Sequence, residues 1–303
     1  MNKIPVGKTV TFAYTFLFTR MGTVAGVAAL PALLASAVDY LVRSYTSPED
    51  TEAAAGTNLL IWLAGTVTTI FISSVATVGI TRAALGVPLG RDAYYFPVGP
   101  LELRMFVAKL RFWAGVVALL VLASIVSSFA LMLAGVPLDG AGTIEPSAAT
   151  LVALLATWGA FGYAIFTILR MGFLLSATVV AEERGGLQRS HDLARGNFWR
   201  IVAILAALAA PILVLVSVAT MVLLRASLGE NYAQVLEGAD AFEVMRRGEE
   251  AVEQNILLWE AFNTAVFILA SGLIYGASAY VYRALTAKSP WEADLLRPPA
   301  AGD

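Results

Sequence analysis

Six apolar stretches, at about 21–41, 58–81, 113–134, 149–169, 201–224 and 261–282, dominate the pattern of the chain. Each is nearly free of charge, and each reaches the roughly 20 residues that a helix needs to cross the hydrocarbon core of a bilayer. Strands are disfavoured on pattern. A lipid-exposed backbone must satisfy its own hydrogen bonds, so only helices or a closed barrel can span, and the alternation of about ten residues that marks a barrel strand is absent. The pattern predicts an all-α fold, a polytopic membrane helical bundle of six transmembrane helices arranged as three hairpins. Residues 1–303 form one transmembrane domain that closes in a flexible C-terminal tail over 286–303.

Composition agrees with this reading. The chain of 303 residues is 58% hydrophobic and 14% charged, with a mean hydropathy of +0.75, whereas soluble domains carry about 25% charged residues. Basic residues near span ends are held on the cytoplasmic side, so their distribution sets the orientation. The N-terminal segment, the second and fourth connections and the C-terminal segment hold 16 of the 20 basic residues and 8 of the 22 acidic ones. The other face keeps Arg43, Arg225, Arg246 and Arg247 beside 14 acidic residues, so the two sides differ as +8 against −10. Both termini are expected in the cytoplasm. Ala35, Ser36 and Ala37 have the small-residue pattern of a leader cleavage site, but a twenty-residue preceding region ending at Arg20 favours an uncleaved first span.

The connections alternate in kind, which suggests a repeated two-helix unit. Phe18-x-Arg20 with Pro31 before and within the first span matches Phe198-x-Arg200 with Pro211 in the fifth, and the even spans close on Arg82, Arg170 and Arg283. Basic, aromatic segments such as 100–113 (PLELRMFVAKLRFW) and 187–200 (LQRSHDLARGNFWR) are expected to form interfacial helices on the cytoplasmic side. Their candidate contacts to lipid headgroups are Arg104, Lys109, Arg111, Arg189, Arg195, Trp199 and Arg200. Arginines there can meet phosphates while aromatic rings sit at headgroup depth. The plainer reading, an anchor without lipid selectivity, is favoured.

Spans in lipid associate through close backbone approach and interhelical hydrogen bonds. Candidate packing faces are Gly65, Thr69, Ser73, Thr77 and Thr81 in the second span, Ala156, Ala160 and Ala164 in the fourth, and Gly272 and Gly276 in the sixth. The hydroxyl stripe of the second span could instead line a water path, but packing is the commoner use. Intramembrane charge, the usual pointer to transport or catalysis, is not expected, because Asp39, Arg170, Arg225 and Glu260 all fall near span ends. Pro31 and Pro211 are expected to kink the first and fifth spans.

The search for reactive chemistry excludes most classes. With no cysteine there is no disulfide or thiolate metal site, and the lone His191 cannot supply a two-histidine zinc motif. There is no G-x-S-x-G turn, P-loop or G-x-G-x-x-G, and Asp139-Gly140 lacks the aspartates of a phosphotransferase signature. The amphipathic stretch in the outer loop 225–257 is expected to cap the bundle. No catalytic residue, cofactor or metal is expected, and the chain is read as not an enzyme.

One segment carries a resemblance. From Glu182 to Ile201 the sequence EERGGLQRSHDLARGNFWRI places Glu182, Gly186, Arg189, Ser190, Leu193, Gly196, Asn197, Phe198, Trp199 and Arg200 in a recurring order. This run resembles that of uncharacterised bacterial six-span membrane proteins, akin to the YciC-like family and to the membrane domain of some glycerophosphodiester phosphodiesterases. Glu182, Gly186, Ser190, Gly196, Asn197 and Phe198 are then expected to be structural. Relatives often have a proline a few residues before the acid, where this chain has Ser176, Ala177 and Thr178, so no sharp break is implied there. The resemblance implies a six-span protein of the bacterial inner membrane and no activity. Expected partners are membrane lipids, itself or another membrane protein, and not nucleic acid; the alternative role is a transporter or channel for a neutral or lipidic solute.

Overall fold

A computed structural model describes residues 3–46, 52–88, 97–135, 147–184, 186–228 and 255–287. The proposed C-terminal tail from 288 onward, Asp139-Gly140 and most of the loop 225–257 lie outside the described residues. The helices are α1 (Val6–Thr19), α2 (Met21–Tyr45), α3 (Glu52–Ala84), α4 (Pro100–Leu133), α5 (Ala148–Gly172), α6 (Leu175–Glu182), α7 (Leu187–Leu193), α8 (Phe198–Leu228) and α9 (Ile256–Thr286). No strand occurs among the described residues. Six helices are long and apolar enough to cross a membrane, with α5 and α6 forming one such span. The chain is therefore a multi-pass membrane protein with an all-α bundle.

Helix ends depart from the hydropathy pattern where local chemistry decides. The basic segment 100–113 is no separate interfacial element but the first turns of α4, which continues to Leu133. Pro100 sits at the first turn, the Glu102 carboxylate accepts from the Gly99 amide at 3.0 Å, and nothing in Leu101–Leu133 breaks the helix. Pro31 and Pro211 lie inside uninterrupted α2 and α8. The fourth span does break, at the turn of Phe173 and Leu174. Beyond it α6 enters the bundle with Leu175 through Val180 all buried, against α3, α4 and α9.

The hairpins are not equivalent. The first two pack tightly, α2 on α3 and α4 on α5, but α9 lies chiefly against α1, α3 and α2 and touches α8 less. Its G-x-x-x-G pair makes the first of these contacts possible. A Cβ on Gly272 would meet Leu17 Cδ1 at 2.7 Å, and one on Gly276 would meet Phe16 Cδ1 at 2.9 Å. The pair is therefore a packing face as expected, with the amphipathic α1 as its main partner. In the second span Gly65 closes on Val42 of α2. In the fourth span only Ala164 of the expected stripe is buried, and Ala156 is exposed.

Burial is concentrated at one end. α2 buries Val24, Val27, Ala28, Pro31 and Ala32, α8 buries Ile201, Ile204 and Leu208, and α9 buries most of Ser271–Val281 but nothing in its first turns. Contacts among the connections show which end this is. Ile4 bonds to Asn197 and Arg200, Arg104 to Glu183, and Tyr282 to Glu182. The N-terminal segment, the second and fourth connections and the end of α9 thus meet at the basic end.

Candidate functional site

The candidate site is this basic end, built around the run 182–201. Glu182, Gly186, Ser190, Gly196 and Asn197 of this run each have a definite task. Glu182 Oε1 accepts from Arg189 Nε at 3.0 Å and from the Tyr282 hydroxyl at 3.1 Å, joining α6, α7 and α9. The hydrogen bond and charge of Glu182 raise Arg189 further above its ordinary pKa. Gly186 lets α7 fold back onto α6, since a Cβ there would stand 2.9 Å from Thr178 Cγ2. The Ser190 hydroxyl donates to the Met171 carbonyl at 2.7 Å. That carbonyl lies in the last turn of α5, where intrahelical donors run out.

After α7 the chain turns through Gly196, whose φ of +76° lies in the left-handed region that favours glycine. This aims the next residues at the N-terminal segment. Asn197 Oδ1 accepts the Ile4 amide at 3.1 Å, and Arg200 Nη1 donates to the Ile4 carbonyl at 2.7 Å. Both main-chain groups of buried Ile4 are so satisfied across 193 or more positions of sequence. The Phe198 ring packs, tilted, with its centroid 4.4 Å from that of Phe166 on the fourth span. These contacts together form one lock that fastens α5, α6, α7, α8, α9 and the segment leading into α1.

The residues expected to meet headgroups separate into three groups. Arg195 and Trp199 are exposed, Trp199 to 78%. Arg189 and Arg200 spend donors on Glu182 and Ile4. Arg104 and Arg111 lie two turns apart on α4 and line a cleft of about 330 Å³ closed on its other side by Gly186, Leu187 and Gln188. Arg104 Nη1 donates to the Glu183 carbonyl at 2.7 Å and stands 3.6 Å from its carboxylate. Arg111 makes no hydrogen bond or ion pair among the described residues.

Lys109 requires a correction. Its Nζ points into the bundle, donating to the Ser73 carbonyl at 3.1 Å, to Ser73 Oγ at 3.1 Å and to Thr77 Oγ1 at 2.7 Å. All three ammonium donors are thereby used, so this cation serves the contact of α4 with α3 rather than a headgroup. Thr77 also bonds the Tyr275 hydroxyl at 2.9 Å, which brings in α9. The hydroxyl stripe is thus a packing face with a charge upon it, and the expectation of no charge within a span does not hold for α4. The missed signal was position: Lys109 lies nine residues into a helix that starts earlier than its apolar stretch, two residues before Arg111 and on a different face.

No group of three or more His, Cys, Asp or Glu side chains suited to a metal occurs among the described residues. His191 Nδ1 lies 3.8 Å from Asp192 Oδ1 at the partly exposed surface of α7. No family model, curated protein or solved structure matches the chain.

Proposed function

We propose that this multi-pass protein is a non-enzymatic component of the bacterial inner membrane, with both termini in the cytoplasm, that organises its surroundings by binding lipid or a partner protein at its basic end. One observation carries the reading. The connections that hold most of the basic residues are drawn into a single locked platform, yet Arg104, Arg111, Arg195 and Trp199 remain exposed around it. Basic side chains near an anionic leaflet each contribute about 1 kcal/mol to membrane attraction. The resemblance of Glu182 to Ile201 to six-span inner-membrane proteins supports the same placement.

Native mass spectrometry of the detergent-purified protein tests binding: retained anionic lipid or a co-purifying protein is expected, and retention of neither would remove the proposal. Orientation is tested separately. The chain has no cysteine, so Arg184→Cys provides a single label site at the basic end. An impermeant maleimide should reach it only after the cells are opened.

A further inference from the structure

The geometry points to the cleft between α4 and α7 as a binding site for one anionic phospholipid, its phosphate held by Arg111 and Arg104 and the start of an acyl chain lying against Leu103, Val107 and Leu187. This rests on the reading that the basic end lies at a membrane surface. Its volume of about 330 Å³ falls within the roughly 300–1,000 Å³ of small-ligand sites. That is room for a headgroup and a few methylenes, with the remaining chains in the bilayer.

The two arginines differ in preparation. Seven residues separate them, or about 10 Å along the helix axis, and Val107 and Ala108 lie between them on the same face. Arg104 is oriented by the carbonyl of Glu183, which leaves most of the five donors of its guanidinium open. Arg111 has no partner among the described residues. Its long side chain can swing toward Arg104 and close on a phosphate, a geometry that arginine forks favour.

Neighbouring acids do not cancel this charge. Glu182 is committed to Arg189 and Tyr282, and buried Glu102 caps Gly99, so among the described residues it is Glu183 that competes at the rim. The floor then selects the kind of anion. Leu103 and Val107 are exposed large apolar residues beside the arginines. A soluble phosphate would use the cations and leave that floor wet, whereas a phospholipid uses both parts.

The test is native mass spectrometry with phosphatidylglycerol or phosphatidylcholine added to the delipidated full chain. One phosphatidylglycerol should be retained in preference to phosphatidylcholine, and Arg111→Gln should weaken it about fivefold, the equivalent of losing one basic contact. Arg104→Gln with Arg111→Gln should weaken it about 25-fold if the two contributions add. Leu187→Trp, which fills the trough and keeps every charge, should also abolish preferential retention. Lys3→Gln, exposed at the same end but outside the cleft, should leave it unchanged.

Equal weakening by Lys3→Gln and Arg111→Gln would overturn the cleft while leaving general surface attraction standing. If the chain retains no anionic lipid and captures no protein, the wider reading falls as well. Displacement of the lipid by glycerol 3-phosphate at matched concentration would reassign the arginines to a soluble phosphate and overturn the lipid proposal. Unchanged melting temperatures of the variants exclude loss through misfolding.

Discussion

The basic and acidic halves of the bundle are made of equally apolar spans, yet only the basic half is densely packed. Toward that end α3 is buried almost continuously from Ser74 to Thr81. Toward the other, Leu155 is 72% exposed, Trp158 75% and Leu257 85%. Hydropathy cannot account for the difference, because a leucine gains little by leaving lipid for another leucine. Small residues and polar pairs can. Gly272, Gly276, the Lys109 contacts with Ser73 and Thr77, and the bonds to Ile4 all fall in the basic half. Where such devices are sparse among the described residues, large side chains are left for lipid.

Four substitutions and one control test that contrast, the largest expected effect first. Gly276→Leu, driven against Phe16 and the backbone of Ala13, should destabilise by about 3 kcal/mol and be seen as a clear fall in melting temperature in detergent. Gly159→Leu is its control, because a Cβ there meets nothing within 4 Å; a comparable loss would break the distinction between the halves. Asn197→Ala removes the acceptor of the buried Ile4 amide and should cost about 2 kcal/mol. Limited proteolysis should then cut the N-terminal segment faster, and an unchanged rate would deny Asn197 its fastening role.

Thr77→Val takes one of the three acceptors from Lys109 and the partner of Tyr275. Interhelical hydrogen bonds within membranes contribute on average about 0.6 kcal/mol, with a maximum near 1.7, so a loss of about 1 kcal/mol is expected in urea or thermal unfolding. The smallest effect belongs to Trp158→Ala, whose ring stands free of the bundle. Stability should change by no more than about 0.5 kcal/mol. A larger loss on thermal unfolding would show that the acidic half has a packing role.

Legibility followed the range of the interaction concerned. The six spans were readable because hydropathy over about 20 residues is a local property, and Gly272 with Gly276 was readable because spacing four marks one helix face. The start of α4 was harder to place. Its apolar stretch begins near 113, but helix is set by backbone chemistry at Pro100 and Glu102, and polarity hid the continuity. Lys109 was misplaced for the same reason, since its acceptors lie on α3 and its own neighbours suggest an interface. Glu182, Gly186, Ser190 and Asn197 stand out in the sequence as small or polar residues of one short run, but their tasks do not: the partners Tyr282, Thr178, Met171 and Ile4 are far apart in sequence or reached only through a fold-back.

The fastening of Ile4 also sets an order of events during synthesis. Among the described helices α1 is made before the others, yet it has its polar anchor on Asn197 and Arg200 and its apolar berth on α9, the last of them. At about 5–20 residues per second, the ribosome needs on the order of tens of seconds to supply that berth. Through that interval Phe12, Phe16 and Leu17 must be sheltered by the bilayer surface or by a chaperone, so α1 is made before α9 but docks only with it.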